Sequence, residues 1–427
     1  MENLRIKKRD IPIIMFCVGI FAFPYILRER ILGSLALINL GVYFGVFYGG
    51  WRKILILPTN YKKDLLNFIL WCSYSVIAIF LLFYVKGNEW STVRRFLLLF
   101  VYIFPAIILC TKISNRERIE YYSRVWLKMI RIICRLMCVF WIIDKLLGNS
   151  VQRLWASLYQ SSTLLALTNH GRFVSFYGHP LENTAFFLML LVWTTICKDE
   201  LQKHNKVYVL DVLTALFGIA ICGSKSGLML AILLLLLCNI GLKKAKYMIA
   251  ILIVCAGLYV IGAFDLIISR VMEGIAAGDL TTARNSSLET LMLKGIVDFK
   301  MLEGHPFKYN DVAMVAALEY PFLEWSFVCG ILFTIVQYLM YFIKPSIQVL
   351  RSKKWSLFIC LLILMAFYNG NNGIVSFNDD LLIFTINVWL ITQLAGSKCE
   401  REKNEKKNKG YAYDLVNGRW RGSTGNN

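Results

Sequence analysis

Leu228-Met229-Leu230-Ala231-Ile232-Leu233-Leu234-Leu235-Leu236-Leu237-Cys238 runs without a polar side chain. Gly223-Ser224-Lys225-Ser226-Gly227 precedes it, and Lys243 and Lys244 follow. A bilayer core about 30 Å thick needs about 20 mostly apolar residues per helix. Residues 226–242 are therefore read as a span. Similar runs occur at 11–27, 31–49, 65–85, 96–110, 129–147, 181–197, 207–222, 247–267, 322–343, 355–370 and 380–395. The expected fold class is all-α, a polytopic helical membrane protein with about twelve spans.

Composition points the same way. Of 427 residues, 57% are hydrophobic and 17% charged, against about 25% charged in soluble domains. Mean hydropathy is +0.57. The apolar content excludes a disordered chain, and the unpatterned glycines exclude collagen. The net charge is +20. With the N-terminus inside, roughly 33 of the 47 Lys and Arg fall on inner segments, the bias expected of a membrane topology. Both termini are expected in the cytoplasm. The domain reading is one membrane domain, 1–395, and a basic tail, 396–427. That tail holds Lys398, Arg401, Lys403, Lys406, Lys407 and Lys409, suited to an anionic inner leaflet. The charge is attributed to topology, so no nucleic-acid partner is expected. Arg5 to Arg9 before an apolar run resembles a signal peptide, but no A-x-A site follows and a retained helix is expected.

The cysteines sit almost entirely in the apolar runs, with no CxxC and no His-Cys spacing for a metal. Cys134 and Cys138, at i and i+4, fit core packing better than metal binding. Arg131 and Arg135 lie in the first half of the 129–147 run and are expected to reach toward the interface. No metal or cofactor is expected.

Two long outer loops, 148–180 and 268–321, are where function is sought, because long loops are commonly functional. The first closes with Arg172-Phe173-Val174-Ser175-Phe176-Tyr177-Gly178-His179-Pro180. Pro180 suits a helix first turn, whose N–H groups, beside Arg172 and His179, form an anion site in principle. Interfacial anchoring by the aromatics is the other reading. In the second loop, Leu288, Leu291, Met292, Gly295, Ile296, Phe299 and Leu302 follow helical spacing. They predict an amphipathic helix over about 287–303, with Ser286 and Glu289 as a capping box and Arg284 just before it.

Gly223-Ser224-Lys225-Ser226-Gly227 resembles a phosphate-binding loop but lacks its first Gly and a preceding strand. Lys225 remains a cation for an anionic ligand. His305 and Glu319 are candidate general bases. Arg172, Lys225, Arg270 and Arg284 form the outer cation set, whose meeting in space is the expectation that follows. Asp379-Asp380 fits a solvated helix start better than a sugar contact.

The arrangement resembles the O-antigen ligase and polymerase superfamily (Wzy/WaaL-like), most of all its capsular or exopolysaccharide repeat-unit polymerases. The resemblance rests on Arg172 through Asn183, on Ser224-Lys225-Ser226-Gly227 in place of Ser-Arg-x-Gly, on Arg284 before a helix, and on Glu319 and Gly330-Ile331. It covers about 165–345 by motif. Lys225 departs from the pattern, since it lacks the guanidinium fork.

The resemblance implies a metal-independent glycosyltransferase in a bacterial plasma membrane. It would polymerise undecaprenyl-pyrophosphate-linked oligosaccharides at the outer face, with the bilayer, a chain-length regulator and a flippase as partners. Arg172 and Arg284, with Glu319 or His305 as base, would be catalytic. His179, Lys225 and Arg270 would bind substrate. A lipid-linked oligosaccharide flippase, an O-antigen-type ligase and an assembly scaffold are the alternatives.

Overall fold

The computed structural model describes residues 10–46, 115–159, 161–201, 207–239, 245–260, 264–276, 284–295, 319–371 and 379–396, with a few isolated positions between. Every regular element among them is helical; the sole bridge pairs Ser175 with Gly178. The apolar runs at 65–85 and, apart from isolated positions, 96–110 lie outside the described residues, as do His204, His305 and the basic tail.

Helix α1 (Ile11–Cys17) continues through a π-type turn and bends by 76° into α2 (Tyr25–Leu32). Pro24, which lacks an N–H, stands at the break. Helix α3 (Leu40–Val46) folds back on α1. Helix α4 (Arg116–Leu146) is long and starts on an Asn115 cap. Two short helices follow, α5 (Ser150–Leu158) and α6 (Ser162–Asn169). Helix α7 (Pro180–Asp199) is the axis of the molecule, buried at nearly every position from Asn183 to Cys197. Around it stand α4, α8 (Tyr208–Cys222) and α9 (Lys225–Asn239). The chain goes on through α10 (Ala245–Val260), α11 (Asp265–Ala276) and α12 (Arg284–Leu293). It then forms α13 (Pro321–Cys329), α14 (Ile331–Tyr338) and α15 (Lys344–Arg351). The last two helices are α16 (Trp355–Gly370), packed on α7, and α17 (Asp380–Gly396).

One apolar core runs from Ile13 on α1 to Ala395 on α17. Several polar groups inside it are matched across helices. Trp126 Nε1 on α4 and Trp193 Nε1 on α7 both donate to Asn387 Oδ1 on α17, at 3.0 and 2.6 Å. The buried Asp211 accepts from Arg131 at 2.8, 3.0 and 2.6 Å and from Arg135 at 3.1 Å. Arg28 forks onto Asp379 at 2.8 Å through each terminal nitrogen. Arg131 and Arg135 thus face an inward carboxylate, not an interface. Asp379 opens α17 as a buried ion-pair partner, not as a solvated cap.

The twelve-span reading is corrected. Among the described residues only Pro180–Asp199 is long and apolar enough to cross a membrane. A second span exists only if the bent pair Ile11–Ala22 and Tyr25–Leu32 counts as one. The physical reasons differ by helix. At 15 residues each, α8 and α9 rise only about 22 Å. The 129–147 run is part of the longer helix α4 and carries Arg131, Arg135, Asp144 and Lys145 within it, too many charges for a span. The apolar side chains of α7 are spent on neighbouring helices. Large apolar side chains do stay exposed on α9 and α10, among them Met229, Leu233, Leu252 and Ile253. The first long loop, 148–180, is largely helical, as α5 and α6. The amphipathic helix expected over 287–303 begins at Arg284 and ends at Leu293, where Gly295 turns the chain at φ +65°. Ser286 is therefore inside the helix and does not cap it.

Candidate functional site

The end of α6 delivers Arg172. Gly171 takes φ +73°, its N–H donates to Thr168 O, and the Arg172 N–H donates to Leu167 O at 3.0 Å. This is a Schellman ending, which needs a residue free of the Cβ penalty at Gly171. The next residues are pinned in turn. The Phe173 N–H donates to Ile221 O at 3.2 Å, on the last turn of α8. The Val174 N–H donates to Gln152 Oε1 at 2.7 Å, and Gln152 is itself held by the buried Asp144. Asn183 Nδ2 donates to Phe173 O at 3.0 Å, and Tyr159 donates its hydroxyl to Phe176 O at 2.8 Å. The loop is therefore a fixed scaffold, and Phe173 and Tyr177 are core residues, not interfacial anchors.

His179 caps α7: its Nδ1 accepts the Leu181 N–H at 3.2 Å, and Pro180 fills the first helical position. Opposite it, α8 ends on Gly223 at φ +66° and α9 begins at once. Ser224 Oγ accepts the Gly227 N–H at 3.1 Å as the N-cap. Thr184 on the first turn of α7 packs directly against Gly227 on the first turn of α9. Two helix starts therefore meet, each with a partial positive charge.

Both arginines reach this corner. Arg172 Nε donates to Cys222 O at 3.2 Å, and the Arg172 stem lies over Gly223. From α11, Arg270 Nη1 donates to Gly223 O. Among the described residues neither guanidinium has a carboxylate partner in an ion pair. Glu182, on the first turn of α7, lies toward Gly178, Tyr159 and Tyr368 instead. Burial, and then the neighbouring Arg270, push Arg172 down to about 10, so it stays charged at neutral pH. Burial also lowers Arg270, with Glu273 opposing. Burial, and then the Arg172 charge, lower His179 to about 4. The imidazole is neutral at pH 7 and keeps Nδ1 as an acceptor.

That depression has a measurable consequence. The unfolded imidazole titrates near 6.5 and the folded one near 4. Acid protonates the unfolded chain first, so the contribution is complete above pH 6.5 and is lost as pH falls toward 4. Its ceiling is about 3 kcal/mol, trimmed because the residue keeps some solvent access. His179→Asn retains an N-cap acceptor without the titration. Urea midpoints at pH 7 and pH 5 should draw together in this variant; an undiminished pH dependence would count against the assignment.

Of the residues singled out in the sequence, the structure brings Arg172, His179, Arg270 and the Gly223–Ser226 turn with Lys225 into one corner. Ser226 Oγ, donating to Asn371 Oδ1 at 3.3 Å, ties that turn to the end of α16. Arg284 is the first residue of α12, and its side chain is outside the described residues. Glu319 stands at φ +53° in the turn before α13 and pairs with neither arginine of the corner. Among the described residues no group of three His, Cys, Asp or Glu could hold a metal ion.

Compared with known protein families, curated proteins and solved structures, the chain matches none. The resemblance to the Wzy/WaaL-like superfamily is therefore corrected, since no family match supports it and the described residues hold one span-like helix, or two if the bent pair counts. The readings that depended on it go with it. These are the polysaccharide polymerase and glycosyltransferase, the ligase and flippase alternatives, the undecaprenyl-pyrophosphate substrate and bilayer partners, and the multi-pass plasma-membrane location. The motif positions were real polar residues at helix ends, but such positions recur wherever helices start and stop.

Proposed function

We propose that this chain binds a phosphate-type anion, as free phosphate, pyrophosphate or a phosphorylated small molecule, at the corner where α7 and α9 begin. One observation carries the reading: Arg172 and Arg270 share that corner and, among the described residues, neither is in an ion pair with a carboxylate, so each lowers the cost of an arriving anion. A bound oxyanion would accept charge-assisted hydrogen bonds from the two guanidiniums and face two helix N-termini. Lys225, at the first position of α9, adds a third positive charge. Neutral His179 contributes position and the cap, not charge. The ligand class follows from geometry. Two guanidinium forks suit a tetrahedral oxyanion with several acceptors better than they suit chloride.

Calorimetric titration of the full chain with pyrophosphate, phosphate, sulfate and chloride separates the cases. Saturable binding of pyrophosphate or phosphate, absent for chloride, is expected. Arg270→Gln should weaken it about tenfold, as loss of one charge-assisted bond predicts. Binding that is absent, or that ignores the substitution, would refute the proposal.

A further inference from the structure

Helices α13 and α14 fold back on each other. The Tyr338 ring on α14 packs against Phe322 and Trp325 on α13, with centroids 5.5 and 6.0 Å apart. On one straight helix Trp325 and Tyr338 would stand about 20 Å apart. The reversal is made at Gly330, at φ 90° and ψ 157°, a backbone region closed to residues with a Cβ. The hairpin is also set off from the chain at both ends. Glu319 turns the backbone just before it at φ +53°. A π-type turn, Leu339–Ile343, follows it.

Several of its buried side chains are polar and unmatched. Trp325 and Ser326 on α13 and Gln337 on α14 are at most 1% exposed. The Trp325 Nε1–H, the Ser326 hydroxyl and both polar atoms of the Gln337 amide have no hydrogen-bond partner, and solvent does not reach them. Interiors normally match such groups, because burial strips them of water. The buried Trp126 and Trp193 indoles show the usual solution, since both reach Asn387. Helices of nine and eight residues cannot enclose a glutamine completely by themselves. The cover is the core beneath, where α13 meets α16. Lifting the hairpin from that core would return the unmatched groups to water.

We propose that the α13–α14 hairpin opens as a unit, between the turn at Glu319 and the π-type turn, wetting Trp325, Ser326 and Gln337 while the rest of the core stays folded. Two features hold it closed. Aromatic packing around Trp325 and Tyr338 is lost on opening. The Tyr338 hydroxyl also donates to Asn369 Oδ1 on the last turn of α16 and acts as a latch. Against these stand four polar atoms whose desolvation is uncompensated only in the closed state. The opening is therefore a local event, well below the free energy of global unfolding.

Hydrogen exchange of the full chain, read by mass spectrometry at increasing urea below the unfolding transition, tests this. Peptides covering 321–343 are expected to exchange faster than those of α7 and with a much shallower urea dependence, because a local opening exposes little new surface. Gln337→Leu keeps the shape of the side chain and removes the amide that opening wets. It should slow exchange of the hairpin peptides about tenfold. Ser326→Ala, a smaller change, should slow it by a lesser factor and serves if Gln337→Leu fails to fold. Hairpin peptides that share the rate and urea slope of α7 would overturn the proposal, as would no slowing in either variant. The wild-type urea series decides the matter without any variant.

Discussion

Asp379→Ala is expected to cost about 3–5 kcal/mol of folding stability, the scale for stranding one member of a buried ion pair. The carboxylate meets Arg28 through two bonds of 2.8 Å and accepts from Asn39 Nδ2 at 2.9 Å. Arg28 and Asp379 are each 7% exposed. The Arg28 guanidinium also donates to Phe23 O at 2.8 Å and to Ala36 O at 3.1 Å. These bonds fold the bend between α1 and α2 onto the start of α17. Removing the carboxylate leaves a buried cation that water cannot reach. A loss of that size is a large share of the 5–15 kcal/mol of a typical domain. Urea unfolding followed by circular dichroism measures it. A loss below about 1 kcal/mol, the range of exposed pairs, would show that the pair is not buried as described.

Asp211→Ala should be of similar size, about 3–5 kcal/mol, because two arginines lose the carboxylate they share at once. The Asp211 side chain is wholly buried, while those of Arg131 and Arg135 are 21% and 39% exposed. Arg135 can swing outward and Arg131 less so. Most of the loss should therefore trace to Arg131. A double-mutant cycle decides this: Arg131→Met in the Asp211→Ala background should recover part of the stability. No recovery would mean that Arg131 is already hydrated without its partner.

Helix positions were largely legible in the sequence, while their setting was not. The run 181–197 marks α7 to within a few residues, and Pro180 and Gly223 mark helix ends by their backbone chemistry. An apolar run cannot say whether lipid or other helices cover it, since both demand the same side chains. The span count failed on this point. The 148–180 segment shows a second limit. Ser161, which caps α6 through the Leu164 N–H, is a local helix-start signal inside a segment whose length alone reads as a loop. The ion pairs Arg28–Asp379 and Arg131–Asp211 join residues 351 and 80 positions apart. Their only local sign is a charge at the edge of, or within, an apolar run. Arg172 and Arg270 were each visible as outer-loop cations. Their shared corner depends on how α6 ends and where α11 packs, which local pattern does not encode.

The most direct test of the anion corner is to locate an anion there. Crystals of the full chain grown with tungstate, an oxyanion of phosphate's shape and strong anomalous scattering, would show it. The account predicts an anomalous peak within hydrogen-bonding distance of the Arg172 and Arg270 guanidiniums, at the first turn of α9, and its loss in Arg172→Gln/Arg270→Gln. No peak at that corner, or one that persists in the double variant, would contradict it.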